Sequence, residues 1–180
     1  MKKNWAYKTL EYFGWTINLK QPLPNKCVIC VAPHTSNWDF MIGIFVKFAL
    51  GIKANFFIKK EWFFFPMNYL MRALGGVAIQ RDKKMRMTDA MAAEFDKHDT
   101  LCVAITPEGT RSYNPDWKKG FYFIAEKAGI PIVFAALDFK KKEVILGDQF
   151  LPTGNADADM TQIKAYYKDI NAKFPEKFGM

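Results

Sequence analysis

A histidine and an aspartate stand five positions apart in the segment HTSNWD, at His34 and Asp39. Histidine readily takes up and releases a proton near neutral pH, and an aspartate bonded to one ring nitrogen fixes which nitrogen carries that proton. If the two side chains meet through a tight turn, His34 can take a proton from a substrate hydroxyl while Asp39 stabilises the resulting imidazolium. The spacing therefore predicts a catalytic pair that needs no protein nucleophile.

The same segment also has the pattern of a helix start. Thr35 or Ser36 would cap a helix that begins near Asn37, and Asp39 would be the acidic partner of that cap. In this interpretation His34 is an ordinary loop residue. In another, Ser36 is the nucleophile of a hydrolase and forms a covalent acyl-enzyme. The local residues alone leave all of these interpretations open.

Two further clusters follow apolar runs. The segment PEGTRS brings Glu108, Gly109, Thr110 and Arg111 directly after the run TLCVAIT, and Arg81 ends the run GGVAIQR. A glycine allows close approach to the backbone, and threonine, arginine and backbone amides are suited to holding a phosphate. The alternatives are a surface turn with an ordinary ion pair, and an exposed arginine. Three strand-end signals in this order are more specific than any one of them.

The composition is that of a basic globular domain. Of the 180 residues 50% are hydrophobic, and 26 Lys and Arg against 18 Asp and Glu give a net charge of +8. Such a charge favours anionic partners, and its combination with many aromatic residues favours an anionic membrane surface. The chain has no arginine-rich tract or RNA-binding motif, so nucleic acid is not a predicted partner.

The most apolar stretch, residues 40–52, contains Lys47 and is shorter than the roughly 20 residues that a membrane span needs. The start of the chain has no leader-like apolar core. We therefore expect a cytoplasmic protein, peripheral on the inner membrane face. Cys27 and Cys30 lie in an apolar run without a second pair, which predicts reduced, buried thiols rather than a metal site.

Apolar runs of strand length alternate with amphipathic helical segments along the whole chain. Helices are predicted over residues 3–18, 40–50, 61–74, 85–97, 116–129 and 158–174, with strands at 26–32, 55–60, 77–81, 100–107, 130–139 and 143–150. This alternation predicts a single α/β domain with a largely parallel sheet covered by helices. Functional loops in such sheets collect at the carboxyl ends of strands, where HTSNWD is placed.

In these motifs the chain resembles the glycerolipid acyltransferases, the group of lysophosphatidic acid and glycerol-3-phosphate acyltransferases. Their first motif, H-x-x-x-x-D, matches His34 and Asp39, and their second matches GGVAIQR with Arg81. The third, E-G-T-R-S, matches residues 108–112 without change, and the fourth, a proline-led strand, matches IPIV. The fourth motif usually has a second proline where this chain has Phe134, which bears on the shape of the acyl pocket.

The resemblance covers residues 27–138 and implies a glycerol-3-phosphate acyltransferase-like fold in one domain, 1–180. Residues 1–25 would form an N-terminal, membrane-surface helix and 139–180 a closing strand and helix. Membrane attachment would rely on that helix and on the aromatic residues 62–65. The implied reaction moves a fatty acyl group from acyl-CoA or acyl carrier protein to a lysophospholipid hydroxyl, foremost 1-acylglycerol-3-phosphate, giving phosphatidic acid. No bound cofactor or metal is implied.

The resemblance also implies a role for each matched residue. His34 is the general base and Asp39 orients it. The predicted acceptor contacts, made through phosphate or polar groups, are Asn37, Lys60, Arg81, Glu108, Gly109, Thr110 and Arg111. Lys60 and Lys119 are weaker candidates for anionic contacts, and Glu108 could instead hold an arginine. We add the hypothesis that backbone amides at the helix start, residues 36–38, steady the oxyanion of the reaction.

Two alternatives remain at this stage. The acceptor could be a lyso-aminolipid or another lysophospholipid, because a carboxylate would also suit two arginines. The chain could instead be a non-catalytic basic module that binds lipid or nucleic acid, which the intact motifs oppose.

Overall fold

The computed structural model describes residues 4–59, 61, 63–79 and 86–180. Strands and helices alternate along these residues. The strands are β1 (Thr16–Leu19), β2 (Lys26–Ala32), β3 (Ala54–Lys59), β4 (Gly76–Ile79), β5 (Leu101–Ile105), β6 (Ile132–Asp138) and β7 (Glu143–Phe150). The α-helices are α1 (Trp5–Tyr12), α2 (Asn37–Leu50), α3 (Met67–Leu74), α4 (Met87–Asp96), α5 (Gly120–Ala128) and α6 (Ala156–Tyr167), before a short 3-10 turn, Pro175–Lys177.

The strands form one sheet in the order β1-β7-β6-β2-β5-β3-β4. Its neighbouring pairs are parallel, except for β6 and β7, which form an antiparallel hairpin. The predicted α/β class with a largely parallel sheet is confirmed. In this order β2 lies at the centre, between β5 and β6, so the loops that follow β2 and β5 meet at one edge.

Helices cover both faces of the sheet, and the alternation along β2 shows how the two cores are divided. Cys27 and Ile29 pack with α1 and α2 on one face, while Val28 and Cys30 pack with α4, α5 and α6 on the other. A strand that is apolar on both faces fits the near-continuous apolar run KCVICVA. Both thiols of this run are free and buried, as predicted.

The chain start differs from the single helix predicted over residues 3–18. α1 ends at Tyr12, and Thr16 to Leu19 instead pair with β7 as an edge strand. The local pattern could not reveal this strand because its partner lies far along the chain. α1 packs against α2, where the ring of Trp5 lies 5.9 Å from that of Phe45. Among the described residues, no helix is long and apolar enough to cross a bilayer.

Candidate active site

The segment HTSNWD joins the carboxyl end of β2 to α2, and a tight cap starts that helix. Ser36 is the N-cap residue, and Asp39 in the first turn accepts hydrogen bonds from the backbone N–H groups of Thr35 and Ser36, both at 2.7 Å. The Ser36 hydroxyl donates to the other carboxylate oxygen at 2.8 Å. The predicted helix cap is therefore present, and it holds the carboxylate of Asp39 in one place.

The same carboxylate faces the histidine. Nδ1 of His34 lies 3.4 Å from Oδ2 of Asp39, and the His34 side chain remains 14% exposed while that of Asp39 is 1% exposed. Such contacts are often longer without substrate than in the reacting complex. One aspartate thus caps the helix and faces the imidazole, so the capped helix and the His–Asp pair are not exclusive. The geometry leaves Nε2 as the nitrogen turned away from Asp39.

Asp39 stays ionised despite its burial. Burial raises its pKa, but the nearby His34 ring and the hydrogen bonds from the backbone and side chain of Ser36 outweigh that effect and lower the pKa below its ordinary value. A permanent negative charge beside Nδ1 favours the proton on that nitrogen and stabilises an imidazolium. The electrostatics of the pair are those that a general base requires.

Glu108 lies in the protein interior next to the backbone of His34, rather than at the surface. Its side chain is fully buried, and its Oε1 accepts the backbone N–H of His34 at 2.6 Å. Its second oxygen, Oε2, has no hydrogen-bond partner among the described atoms. Burial raises the pKa of Glu108 to about 7, against the lowering effect of the bond from His34. The predicted contact of Glu108 with the acceptor does not fit this position.

Glu108→Gln tests this buried carboxyl, because glutamine keeps an acceptor for the His34 N–H but does not titrate. Between pH 4.5 and 7 the unfolded chain loses the Glu108 proton while the folded chain keeps it, so this group lowers wild-type stability as pH rises. Across that window the unfolding free energy of the wild type should fall relative to Glu108→Gln by about 3 kcal/mol. Urea unfolding at both limits measures it. The solvent-exposed Glu176→Gln serves as control, and a pH-independent difference for Glu108→Gln would contradict the account.

The helix start bears on the predicted oxyanion site. The Ser36 amide already donates to Asp39, so that one of the three predicted amides is occupied. Asn37 and Trp38 are the first helical residues, whose N–H groups have no partner within the helix. The side chain of Ser36 is buried and bonded to Asp39, which favours its capping role over that of a nucleophile.

The E-G-T-R-S segment follows β5 and reaches the same edge of the sheet. Gly109 has a left-handed φ of 66°, which residues with a side chain rarely adopt, so this turn favours glycine. Thr110 is exposed, and its hydroxyl accepts the N–H of Ser112 at 3.2 Å. Arg111 is exposed and lines the same cavity as His34. The cationic side chain of Arg111 and the candidate base His34 therefore line the same cavity.

This cavity, of about 330 Å³, extends between α2 and the sheet. One end of the cavity lies at the carboxyl edge of the sheet, with His34, Thr106 and Arg111, and the other end has Lys47, Ile52 and Ala54. Between them its walls are mainly apolar, formed by Ile29, Val31, Phe40, Gly43, Ile44, Val46, Ala104, Ala135, Leu137, Val144 and Leu146. Asp39 and Lys47 are eight residues apart on α2, so the lining extends about 12 Å along that helix.

A family model describes most of this region. The model of the family named Acyltransferase matches residues 15–137, which include β1 to β6 and both strand-end motifs. The chain belongs to the Acyltransferase family. The resemblance drawn from the four motifs is thereby confirmed.

Two curated 1-acyl-sn-glycerol-3-phosphate acyltransferases are similar to this chain. The human 1-acyl-sn-glycerol-3-phosphate acyltransferase beta is 33% identical over 140 residues, which are 72% of this chain and 49% of the human protein. The chloroplastic 1-acyl-sn-glycerol-3-phosphate acyltransferase BAT2 of Brassica napus is 30% identical over 138 residues, 73% of this chain and 39% of its own length. The chain thus spans half or less of the curated relatives it matches.

A solved acyltransferase has the same fold. The crystal structure of the 1-acyl-sn-glycerophosphate acyltransferase of Thermotoga maritima superimposes with a TM-score of 0.60 and 18% identity, covering 94% of this chain and 78% of the other. The expected glycerolipid acyltransferase fold is confirmed for this family member.

Some predicted site residues fall elsewhere. Lys60 and Arg81 lie outside the described residues. Asn37 is exposed at the first position of α2 and is not part of the cavity wall. Lys119, one of the weaker candidates, is paired with Asp157. In the described part of the chain no three His, Cys, Asp or Glu side chains cluster in a way that could hold a metal.

Phe134, which departs from the family's fourth motif, does not shape the cavity. Its ring packs on Tyr166 at 4.5 Å on the opposite face of the sheet, whereas its neighbour Ala135 lines the cavity. Residues along a strand alternate between faces, so a change at position 134 acts on the core of the opposite face.

Two cavity residues of α2, Gly43 and Lys47, were not singled out from the sequence. Asp39, Gly43 and Lys47 follow one another at intervals of four residues, and this spacing places all three on one face of the helix.

Proposed function

We propose that this protein transfers a fatty acyl group from an acyl thioester to the free hydroxyl of 1-acylglycerol-3-phosphate, giving phosphatidic acid. One observation carries the proposal: the His34–Asp39 pair lines one end of an apolar cavity that Arg111 also lines. Family membership and the printed activity of the curated relatives support it. The apolar walls of the cavity suit an acyl chain, and the cationic Arg111 suits a phosphate.

The reaction needs one proton to move twice. Nε2 of His34 takes the proton of the acceptor hydroxyl while the oxygen attacks the thioester carbonyl. The tetrahedral oxyanion is held by the amides of Asn37 and Trp38 at the start of α2, where the helix dipole favours negative charge. The carbon–sulfur bond then breaks, and the imidazolium returns the proton to the leaving thiolate. Asp39 stabilises the imidazolium between these steps.

In this proposal Glu108 is a positioning residue. Its Oε1 holds the backbone N–H of His34 and so fixes the histidine loop against the loop that follows β5. Arg111 binds the acceptor phosphate, with Gly109 and Thr110 shaping the turn that presents it. Asn37, Lys60 and Arg81 remain proposed contacts of the acceptor.

The acyl donor is a thioester of CoA or of acyl carrier protein, and the proposed site of action is the cytoplasmic membrane surface. A net charge of +8 and exposed rings such as Phe64 and Phe65 support attachment to an anionic bilayer. Trp62, which belongs to the same aromatic stretch, lies outside the described residues.

Product analysis tests the acceptor. The protein is incubated with acyl-CoA or acyl carrier protein and an equimolar mixture of lysophosphatidic acid, other lysophospholipids and a lyso-aminolipid, and products are identified by mass spectrometry. We expect phosphatidic acid to dominate. If another diacyl lipid or an acylated aminolipid dominates, the class holds but the acceptor is wrong, and no acylated product from any donor would contradict the enzyme itself.

Arg111→Ala should weaken acceptor binding more than turnover. A lost charge-assisted bond to a phosphate is expected to raise the KM for lysophosphatidic acid about 10- to 100-fold with little change in kcat. Steady-state kinetics measure the split, and Arg111→Lys should recover part of the affinity. As a matched substrate control, 1-acylglycerol lacks the phosphate, so wild type and Arg111→Ala should use it equally. An unchanged KM for lysophosphatidic acid would remove the assigned role.

Gly43→Leu should shorten the acyl chain that the cavity accepts. A side chain built at Gly43 meets no atom within 4 Å, and this exposed glycine lines the cavity one helical turn beyond Asp39. Leucine would fill that space, and transfer of a long acyl chain should fall about tenfold or more while a short acyl chain is still transferred. The ratio of rates across a thioester series measures this. Gly43→Ala is the control, and an equal loss at all lengths would contradict the placement of the acyl chain.

A further inference from the structure

A second apolar groove lies on the outer side of α2, away from the cavity with His34. It has a volume of about 320 Å³ and is lined by Leu10 and Phe13 from the α1 side and by Trp38, Met41 and Phe45 from α2. We call it the α1–α2 groove. Residues 38, 41 and 45 recur at helical spacing, so α2 presents one apolar face to the cavity and another to this groove.

Residues 4–59, 61, 63–79 and 86–180 leave this groove open. Phe13 is 60% exposed, Trp38 59% and Met41 45%. A cluster of exposed rings and thioethers at one place is typical of a surface that contacts something apolar. It lies at the same edge of the sheet as His34, because α2 begins there and the turn between β6 and β7 closes the groove from the same side.

Two lysines border this apolar space. Lys142, in the turn before β7, donates to the backbone oxygen of Phe13 at 3.1 Å. Lys173, in the segment after α6, places its ammonium 4.8 Å from the ring centre of Trp38. Within the described part of the chain, neither ammonium forms an ion pair with a carboxylate. An apolar groove bordered by two such cations is complementary to a ligand that is both apolar and anionic.

We propose that the α1–α2 groove binds an anionic phospholipid of the bilayer, with one acyl chain along Met41 and Phe45 and the phosphate between Lys142 and Lys173. This site is separate from the cavity of the proposed reaction and does not depend on it. A phospholipid bound in this groove would hold the carboxyl edge of the sheet, where His34 lies, against the membrane. The exposed Lys140 and Lys141 of the same turn add to the attraction for an anionic surface.

Vesicle flotation tests the proposal with the full chain. The vesicles contain equal parts of phosphatidylglycerol and phosphatidylcholine, with phosphatidylcholine alone as the neutral reference. Lys142→Ala/Lys173→Ala should weaken binding to the anionic vesicles about tenfold or more. Lys97→Ala/Lys127→Ala removes the same charge from α4 and α5 on the opposite face, and it should change binding less than about twofold. Equal losses in the two double variants would overturn the groove as the site.

The apolar half of the site has its own pair of variants. Met41→Ser should weaken vesicle binding severalfold even at high salt, where screening removes most surface attraction. Met87→Ser alters a methionine of similar exposure, 41%, on α4 and should leave binding unchanged. No effect of Met41→Ser would overturn the proposal. A protein that is dimeric in solution and becomes monomeric with Met41→Ser would also overturn it, because a second copy would then occupy the groove.

The readouts separate this inference from the proposed function. Binding is measured without substrate, so an inactive protein can still bind vesicles through the groove. Circular dichroism melting confirms that each variant is folded. If acyl transfer is present, Lys142→Ala/Lys173→Ala should keep the wild-type rate on a short-chain, monomeric acceptor and lose rate only on acceptor presented in anionic vesicles. Equal loss on both acceptors would contradict a membrane-binding role.

Discussion

His34→Ala removes acyl transfer and leaves the protein folded. Among the described residues that line the cavity, His34 carries the only imidazole that could take the proton of the acceptor hydroxyl, so without it the rate should fall about 10³-fold or more. The fold should tolerate the change because the ring is partly exposed and its Nδ1 makes no hydrogen bond of good geometry. We expect the melting temperature to move by no more than a few degrees. Initial rates of phosphatidic acid formation and thermal melts measure both quantities.

The chain provides a matched control for this variant. Its other histidine, His98, is exposed beyond the end of α4, 3.3 Å from Glu94. His98→Ala removes the same chemical group away from the cavity and should keep the wild-type rate. If His98→Ala and His34→Ala lose activity together, the loss reflects general damage. Wild-type transfer by a folded His34→Ala would end the role of His34 as base.

Asp39→Asn should cost nearly as much activity and also some stability. An amide in place of the carboxylate loses the charge that stabilises the imidazolium, and its NH₂ group can impose the wrong tautomer on His34. The expected fall in kcat is about 10²- to 10⁴-fold, with little change in acceptor KM. Because the carboxylate also accepts two backbone N–H groups and the Ser36 hydroxyl, the variant should melt at a lower temperature.

The stability loss of Asp39→Asn depends on pH in a defined direction. The pKa of Asp39 is lowered in the folded protein from an ordinary value of 3.8, so its stabilisation is present above that pH and disappears as pH falls through the lower folded value. The difference in melting temperature should therefore vanish in acid. Asp89 occupies the same third helical position in α4, and Asp89→Asn should leave kcat unchanged at every pH. Equal kcat values for Asp39→Asn and wild type would contradict the pair.

The pairing of His34 with Asp39 could be predicted from the sequence because both lie within one turn and one helix start. The contact between Glu108 and His34 could not, since the residues are 74 positions apart and meet only because β5 lies beside β2. The family resemblance placed Glu108 among the substrate contacts, whereas the strand order brings its carboxylate to the backbone of His34. Local chemistry was accessible from the sequence, and neighbour relations between distant segments were not.

The helices and strands likewise divide into those with a local sequence signal and those defined by a distant partner. The runs that became β2 and α2 carry their own signals, an unbroken apolar stretch and a cap before a helix. β1 carries little of its own, because it is an edge strand defined by its pairing with β7, and it was predicted as helix. The cavity and the α1–α2 groove depend on how closely α2 packs on the sheet and on α1. Packing distances of this kind are not encoded in periodicity.

The measurement that tests the central claim most directly is thiol release from acyl-CoA by the wild-type protein, with and without lysophosphatidic acid, followed together with phosphatidic acid formation. The proposed mechanism predicts that thiol appears only when the acceptor is present, mole for mole with product, and that no acyl group stays on the protein. Thiol release at the same rate without acceptor, together with an acyl adduct on Ser36, would contradict it. That result would make the protein a hydrolase with a serine nucleophile.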